Sequence, residues 1–236
     1  MNTFLFDLDG TLLPLREEEF ARIYFSGLSR RMIEAGYRKE DFMKALWTGI
    51  EAMRENDGRA VNEEVFWRAF PAALGGAREE LEELFYDYYR EEFFETKKSA
   101  SPTPYAAKCV AALKEKGYRL VLATNPLFPP IATYQRIRWA GLEPEDFLLV
   151  TTIDNSRYCK PNLKYYEDIL VKIGASPGDC IMVGNDVDED MVARELGCET
   201  YLLLDCLINA KGAEIDSFRR GRITDLYDFI LKLPGM

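Results

Sequence analysis

The run Phe4-Leu5-Phe6 has no polar face, and it leads directly into two acids one residue apart, Asp7 and Asp9, followed by Gly10. A segment this short and uniformly apolar reads as a strand covered on both sides, as in a parallel sheet. The chain must then supply helices for both faces, and the carboxylates must stand at the strand's carboxyl end. If the extended geometry continues, residues two apart point the same way, so the two acids share one side of the chain. At about 5 Å and an effective dielectric of about 20, their repulsion is roughly 3 kcal/mol. In a domain of marginal stability such a cost needs an offset: a cation, a shared proton or both.

After Pro14 the pattern turns helical. Candidate helices run over 17–35, 39–55, 62–73 and 78–94, separated in part by the turn signals Asn56-Asp57-Gly58 and Gly75-Gly76. In the last of them Leu81, Leu84, Phe85 and Tyr88 recur at helical spacing, so its aromatic stripe reads as packing surface. From Ser101 onward helix and strand alternate. Thr103 and Pro104 open a helix that Gly117 stops, and strands are expected over 120–123, 147–150, 180–183 and 201–204. Between them lie helices after Pro130, over 163–173 and over 191–196. Such alternation implies an α/β fold with a Rossmann-like parallel sheet core. Because the first strand must join that sheet, the helical block is an insertion: residues 1–14 and 101–236 form the core, and 15–100 an all-helical cap.

Composition excludes several function classes. With 40 acidic residues, 30 basic ones and no histidine, the chain carries a net charge of −10, which disfavours nucleic acid as a partner. The absence of histidine removes Ser-His-Asp and Cys-His mechanisms. Five cysteines, scattered and without a CxxC pair, suit reduced thiols in a cytoplasm and neither a disulfide framework nor a zinc site. No apolar run reaches a membrane span, and Asp7 interrupts the first one, so neither a membrane location nor a signal peptide is expected.

In a parallel sheet of this kind ligands bind beyond the carboxyl ends of the strands. There the sequence places Asp7 and Asp9, then Thr124 and Asn125, then Lys160 before Pro161, then Gly184-Asn185-Asp186-Val187-Asp188-Glu189-Asp190. Taken singly each has a plain reading: an ordinary turn, a surface lysine, a solvated helix start. A calcium loop is excluded, because Met191 and Gly197 stand where it needs Gly and Glu.

Taken in order, DLDGT, the Thr after a second strand, the Lys before Pro and GNDVDED resemble the four motifs of the haloacid dehalogenase-like hydrolase superfamily. The resemblance runs from Thr3 to about Leu204, and the insertion is similar in position and character to that superfamily's helical cap of the first type. It implies that Asp7 attacks phosphorus and that Asp9 is general acid and base, with Mg²⁺ as cofactor and a small phosphorylated metabolite as substrate. Thr124, Lys160 and the backbone around Gly10 and Asn125 would hold the phosphoryl oxygens. Asp7, Asp9 through its carbonyl, and either Asp186 or Asn185 would hold the metal; the carboxylate offsets the charge better. Asp190 would orient Lys160 or a metal-bound water, and Asp188 reads as solvated. Asp9 favours a phosphatase over the dehalogenases, whose halide needs no proton and which lack an acid there. A sugar-phosphate mutase is the alternative within the family. Phosphonate cleavage needs a marked cap lysine, and nothing marks Lys39 or Lys44. A receiver-like phosphoryl-accepting module shares an acidic pocket, Thr and Lys, but is shorter and lacks DxDGT. Arg16, Arg54 and Arg59 lie near cap ends or turns where they could meet an anion, and each also reads as a solvated charge. Cys159 reads as an inert thiol rather than a reactive one.

Overall fold

Phe4 and Phe6 face one side of a sheet and Leu5 the other, and all three are fully buried. The computed structural model describes the whole chain, Met1 to Met236. Its sheet has six strands, β1 (Thr3–Phe6), β2 (Arg119–Leu122), β3 (Leu149–Val150), β4 (Cys180–Gly184), β5 (Glu199–Leu203) and β6 (Arg219–Gly221). All are parallel, in the order β3-β2-β1-β4-β5-β6. In this doubly wound order the chain builds outward from β1 on one side, then returns to lay β4 on the other. The crevice at the carboxyl ends of β1 and β4 is the reversal point, and the Asp7 amide donates across it to the Val183 carbonyl at 2.9 Å.

Helices α5 (Pro104–Glu115) and α8 (Ile223–Lys232) cover the face that carries Phe4 and Phe6, together with Ile137 of α6 (Pro130–Trp139). Helix α7 (Leu163–Ile173) and the 3-10 turn Met191–Leu196 cover the face that carries Leu5, Val121 and Met182. Alternate residues of each strand therefore feed two cores, the requirement set by an apolar strand without a polar face.

The chain leaves this layer at Pro14 and returns at Ser101, whose amide donates to the Pro14 carbonyl at 2.8 Å. Between them lie α1 (Glu17–Glu34), α2 (Lys39–Arg54), α3 (Asn62–Leu74) and α4 (Arg78–Glu91). They close on an aromatic cluster that includes Phe42, Phe66, Trp67, Phe70, Phe85 and Tyr88. No helix is long and apolar enough to cross a membrane.

Several elements differ from the sequence reading. The helix expected to reach residue 94 ends at Glu91, and the chain tightens into a 3-10 segment over Phe93–Ser99. There Thr96 Oγ1 and Ser99 Oγ donate to carbonyls three residues back, at 2.8 and 2.6 Å, which favours the tighter winding. The strand expected over 147–150 is only Leu149–Val150, because the Phe147 amide is used by the Pro144 carbonyl in a preceding turn. Segment 191–196 winds as 3-10 helix rather than α-helix. The extended geometry does not continue past Phe6: the Thr11 and Leu13 amides both donate to the Leu8 carbonyl, and the chain turns. Asp7 and Asp9 nonetheless line the same crevice. Strand β6 and helix α8 were not expected at all, yet Leu226 and Ile230 are fully buried in the core.

That burial makes the last helix part of the sheet's support. Ile230→Ala should cost about 2–5 kcal/mol, read as a lowered urea midpoint; an unchanged midpoint would show that α8 is not part of the cooperative core.

Candidate active site

Lys160, expected from its place before a proline to be surface-like when read alone, is 3 % exposed. Its Nζ donates to Asp7 Oδ1 at 2.9 Å and to Asp190 Oδ1 at 2.6 Å. Burial by itself would lower the ammonium's pKa, but Asp190 and Asp7 outweigh it and hold Lys160 well above its ordinary value, so it is a cation. An ammonium has three N–H donors, and the two carboxylates take two of them.

Asp190 is fixed from the other side as well. The Asp186 amide donates to its Oδ2 at 3.0 Å, so both of its oxygens are engaged. Burial raises its pKa, Lys160 pulls it down and the Asp7 charge pushes it up, leaving it above the ordinary range. A Cβ on Gly184 would lie 2.1 Å from Asp190 Oδ2, which is why glycine closes β4. Asp186 Oδ1 in turn accepts from the Asp188 and Glu189 amides at 2.7 and 2.9 Å, shaping the turn that delivers Asp190.

Asp9 has a cation of its own. Arg136, 1 % exposed on α6, donates through its guanidinium to Asp9 Oδ2. The guanidinium lies 4.4 Å from the Phe128 ring centroid, within cation–π range. Asp9 Oδ1 is buried with no hydrogen-bond partner. Burial raises the Asp9 pKa, Arg136 lowers it and Asp7 raises it, for a net upward shift. The repulsion anticipated between Asp7 and Asp9 is thus offset within the protein by two separate cations, Lys160 and Arg136.

The remaining expected residues fall around the same crevice. Asp7, Asp9, Thr124, Asn125, Asn185, Asp186 and Asp190 line one cavity of about 180 Å³. The Thr124 carbonyl accepts from Thr151 Oγ1 at 2.6 Å and from Tyr165 OH at 2.8 Å, which fixes the end of the β2 segment. Gly10 has φ +82°, and a Cβ there would come within 2.4 Å of Asn185 Nδ2, so the turn needs glycine on both counts. Asn185 is used structurally: its Oδ1 accepts from Thr11 Oγ1 at 2.8 Å and its Nδ2 donates to the Cys206 carbonyl at 2.8 Å. Asp188 pairs with Lys211 at 3.0 Å, away from the Lys160 pair.

The sequence reading missed three charged residues of this cavity. Arg136 sits with Ala132 and Ala140 at a spacing of four on the buried face of α6, and an arginine on an apolar stripe was the available signal. Glu189 accepts from Asn125 Nδ2 at 3.0 Å. Glu17, at the start of α1, lines the cavity from the inserted helices, its pKa raised by burial and then by Asp186, Asp9 and Asp7. Of the three arginines singled out, Arg16 and Arg59 pair with Glu19 and Asp57 at the surface, and neither lines this cavity. Lys39 and Lys44 are exposed. Burial pushes the Cys159 thiol up to about 12, in keeping with an inert cysteine.

A hard cation suits the donors present. Six carboxylate residues line the cavity against Arg136 alone as a lining cation, and Asp9 Oδ1 and Asn125 Oδ1 are buried acceptors without partners. No three acids converge into a ready-made metal cluster. Mg²⁺ needs none, since it binds through one or two carboxylates with water and substrate phosphate as its other ligands.

A family model for the haloacid dehalogenase-like hydrolases matches residues 1–197. The glyceraldehyde 3-phosphate phosphatase of Methanothermobacter thermautotrophicus is 27 % identical over 224 residues, covering 92 % of this chain and 91 % of that protein. The pyrophosphatase PpaX of Halalkalibacterium halodurans is 23 % identical over 203 residues, covering 86 % and 83 %. A crystal structure of a HAD phosphatase from Thermococcus onnurineus superposes with a TM-score of 0.57 at 22 % identity, covering 100 % of both chains, and shows the shared fold.

The Arg136–Asp9 pair should be energetically coupled. A double-mutant cycle of Arg136→Met and Asp9→Asn, followed by urea denaturation, should give about 1–3 kcal/mol of interaction; strict additivity would show that the pair does not hold Asp9.

Proposed function

The chain belongs to the haloacid dehalogenase-like hydrolase family, and on that premise we propose that it is a Mg²⁺-dependent phosphatase that hydrolyses a small phosphorylated metabolite through an aspartyl-phosphate at Asp7. The observation that carries the reading is the buried Asp7–Lys160–Asp190 set at the sheet's reversal point, with a differently paired acid, Asp9, beside it.

The chemistry follows from what each group is free to do. Asp7 attacks phosphorus through a carboxylate oxygen, a P–O bond to Asp7 forms, and the ester P–O bond breaks. Asp9, with Oδ1 unpartnered and its pKa raised by burial, gives its proton to the leaving oxygen. Water then attacks phosphorus and Asp9 takes back a proton. The bond to Asp7 breaks, releasing phosphate and restoring both acids. Lys160 balances the phosphoryl charge as it shifts, and Asp190 holds the ammonium in place. Thr124, Asn125 and the backbone at Gly10 are the phosphoryl-binding groups in this reading.

Asp7, the Asp9 carbonyl and Asp186 would hold Mg²⁺. It would supply Lewis-acid neutralisation of the phosphoryl oxygens. What supports Asp186 over Asn185 is that both ends of the Asn185 amide are already taken, by Thr11 and Cys206. The named substrates of two relatives, glyceraldehyde 3-phosphate and pyrophosphate, support phosphoryl chemistry on small molecules.

Purified protein should release phosphate from 4-nitrophenyl phosphate when Mg²⁺ is present and stop when it is chelated. Asp7→Asn should abolish turnover, and Asp9→Asn should lower kcat by about 10²–10⁴-fold. Full activity in Asp7→Asn would remove the nucleophile assignment.

A further inference from the structure

The inserted helices and the sheet layer enclose a second cavity, of about 240 Å³, and sixteen of its nineteen lining residues are hydrophobic. Leu127 and Phe128 line both this hollow and the acidic cavity, so the two share a wall. A molecule whose phosphoryl group sits at Asp7 therefore has this hollow next to it. At roughly 30 Å³ for each water-sized volume, it holds about eight such volumes, enough for a ring with a short linker.

Its walls offer almost nothing to a hydroxyl. Of its three phenols, those of Tyr24 and Tyr89 hydrogen-bond each other at 2.9 Å and that of Tyr86 lies against Glu63, so the rings are what remains for a ligand. Phe66 and Trp67 meet edge to face, 5.0 Å between centroids, on another wall. The lining charges are Arg54, about half exposed and paired loosely with Glu51, and the partly buried Glu63. A sugar or triose placed here would leave its hydroxyls without partners, whereas an apolar ring would replace water against aromatic faces.

We propose that this hollow receives the organic part of the substrate, and that the substrate is a phosphate monoester of an apolar, ring-bearing alcohol rather than of a sugar or triose. The assignment rests on the phosphatase reading above and adds to it the class of alcohol. It also gives the aromatic stripe of α4 a second role, since Phe85, Tyr86 and Tyr89 line the hollow while Phe85 and Tyr89 also pack the helical cluster.

The test compares two primary-alcohol esters of similar leaving-group basicity, 2-phenylethyl phosphate and glycerol 1-phosphate, with Mg²⁺ present. The expected kcat/KM ratio is about a hundredfold in favour of the phenylethyl ester. In parallel, 2-phenylethylphosphonate and ethylphosphonate are titrated against the fluorescence of Trp47 and Trp67, both in the lining. The phenylethyl compound should bind at least about tenfold more tightly. Ala21→Trp, which fills the hollow from α1, should bring both ratios towards one, with Ile50→Gln as a second variant should the first not fold. Ratios near one in the unaltered protein, for hydrolysis and binding alike, overturn the assignment. A tenfold binding preference with neither ester hydrolysed overturns the phosphatase reading and leaves the apolar site standing.

Discussion

Lys160 buried between Asp7 and Asp190 is the interaction on which the rest of the site depends. An ammonium withdrawn from water pays a large desolvation penalty, and here two carboxylates at 2.9 and 2.6 Å offset it. The three groups come from the end of β1, the loop before α7 and the turn after β4. Their meeting therefore requires the strand order that puts β4 beside β1. Gly184 leaves room for the Asp190 carboxylate and the Asp186 amide caps it, so even backbone features of the last turn serve this one cation. Removing Lys160 would leave two buried carboxylates without their cation.

Beside this set, Asp9 lives under different physics. It pairs with Arg136 instead of Lys160, keeps one oxygen without a partner, and has its pKa raised by burial. Two acids one residue apart in sequence are thus separated by environment into one held by an ammonium and one held by a guanidinium with an oxygen left over. The chain turns here, with the Thr11 and Leu13 amides both donating to the Leu8 carbonyl. Gly10 makes that turn, and Asn185 packs across it, tying the β1 and β4 loops together through Thr11.

Much of this was legible in the sequence, and the parts that were not share a cause. Phe4-Leu5-Phe6 announced a strand with two covered faces because hydrophobic patterning is local. The strand-helix alternation after Ser101 announced the parallel sheet for the same reason. The expected site residues Asp7, Asp9, Thr124, Asn125, Asn185, Asp186 and Asp190 do line one cavity, and Lys160 reaches it through Asp7 and Asp190, because each follows or lies near a strand end in a single sheet. Arg136 escaped notice because its partner lies 127 positions away in sequence, and only the packing of α6 over the first loop brings them together. The tight turn after Leu8 was not foreseen, because an extended continuation was assumed, yet Asp7 and Asp9 still line one cavity. Strand β6 carries Arg-Arg-Gly, a poor strand signature, and pairs only because β5 presents a free edge to it.

The central claim is that Asp7, and no other acid of the crowded cavity, carries the phosphoryl group during turnover. The most direct measurement is to quench the protein during turnover with Mg²⁺ and an aryl phosphate, reduce any acyl phosphate with borohydride, and sequence the peptides by mass spectrometry. Conversion of Asp7 alone to homoserine is expected. Conversion of Asp9, Asp186 or Asp190 instead, or turnover with no acid converted, would contradict it.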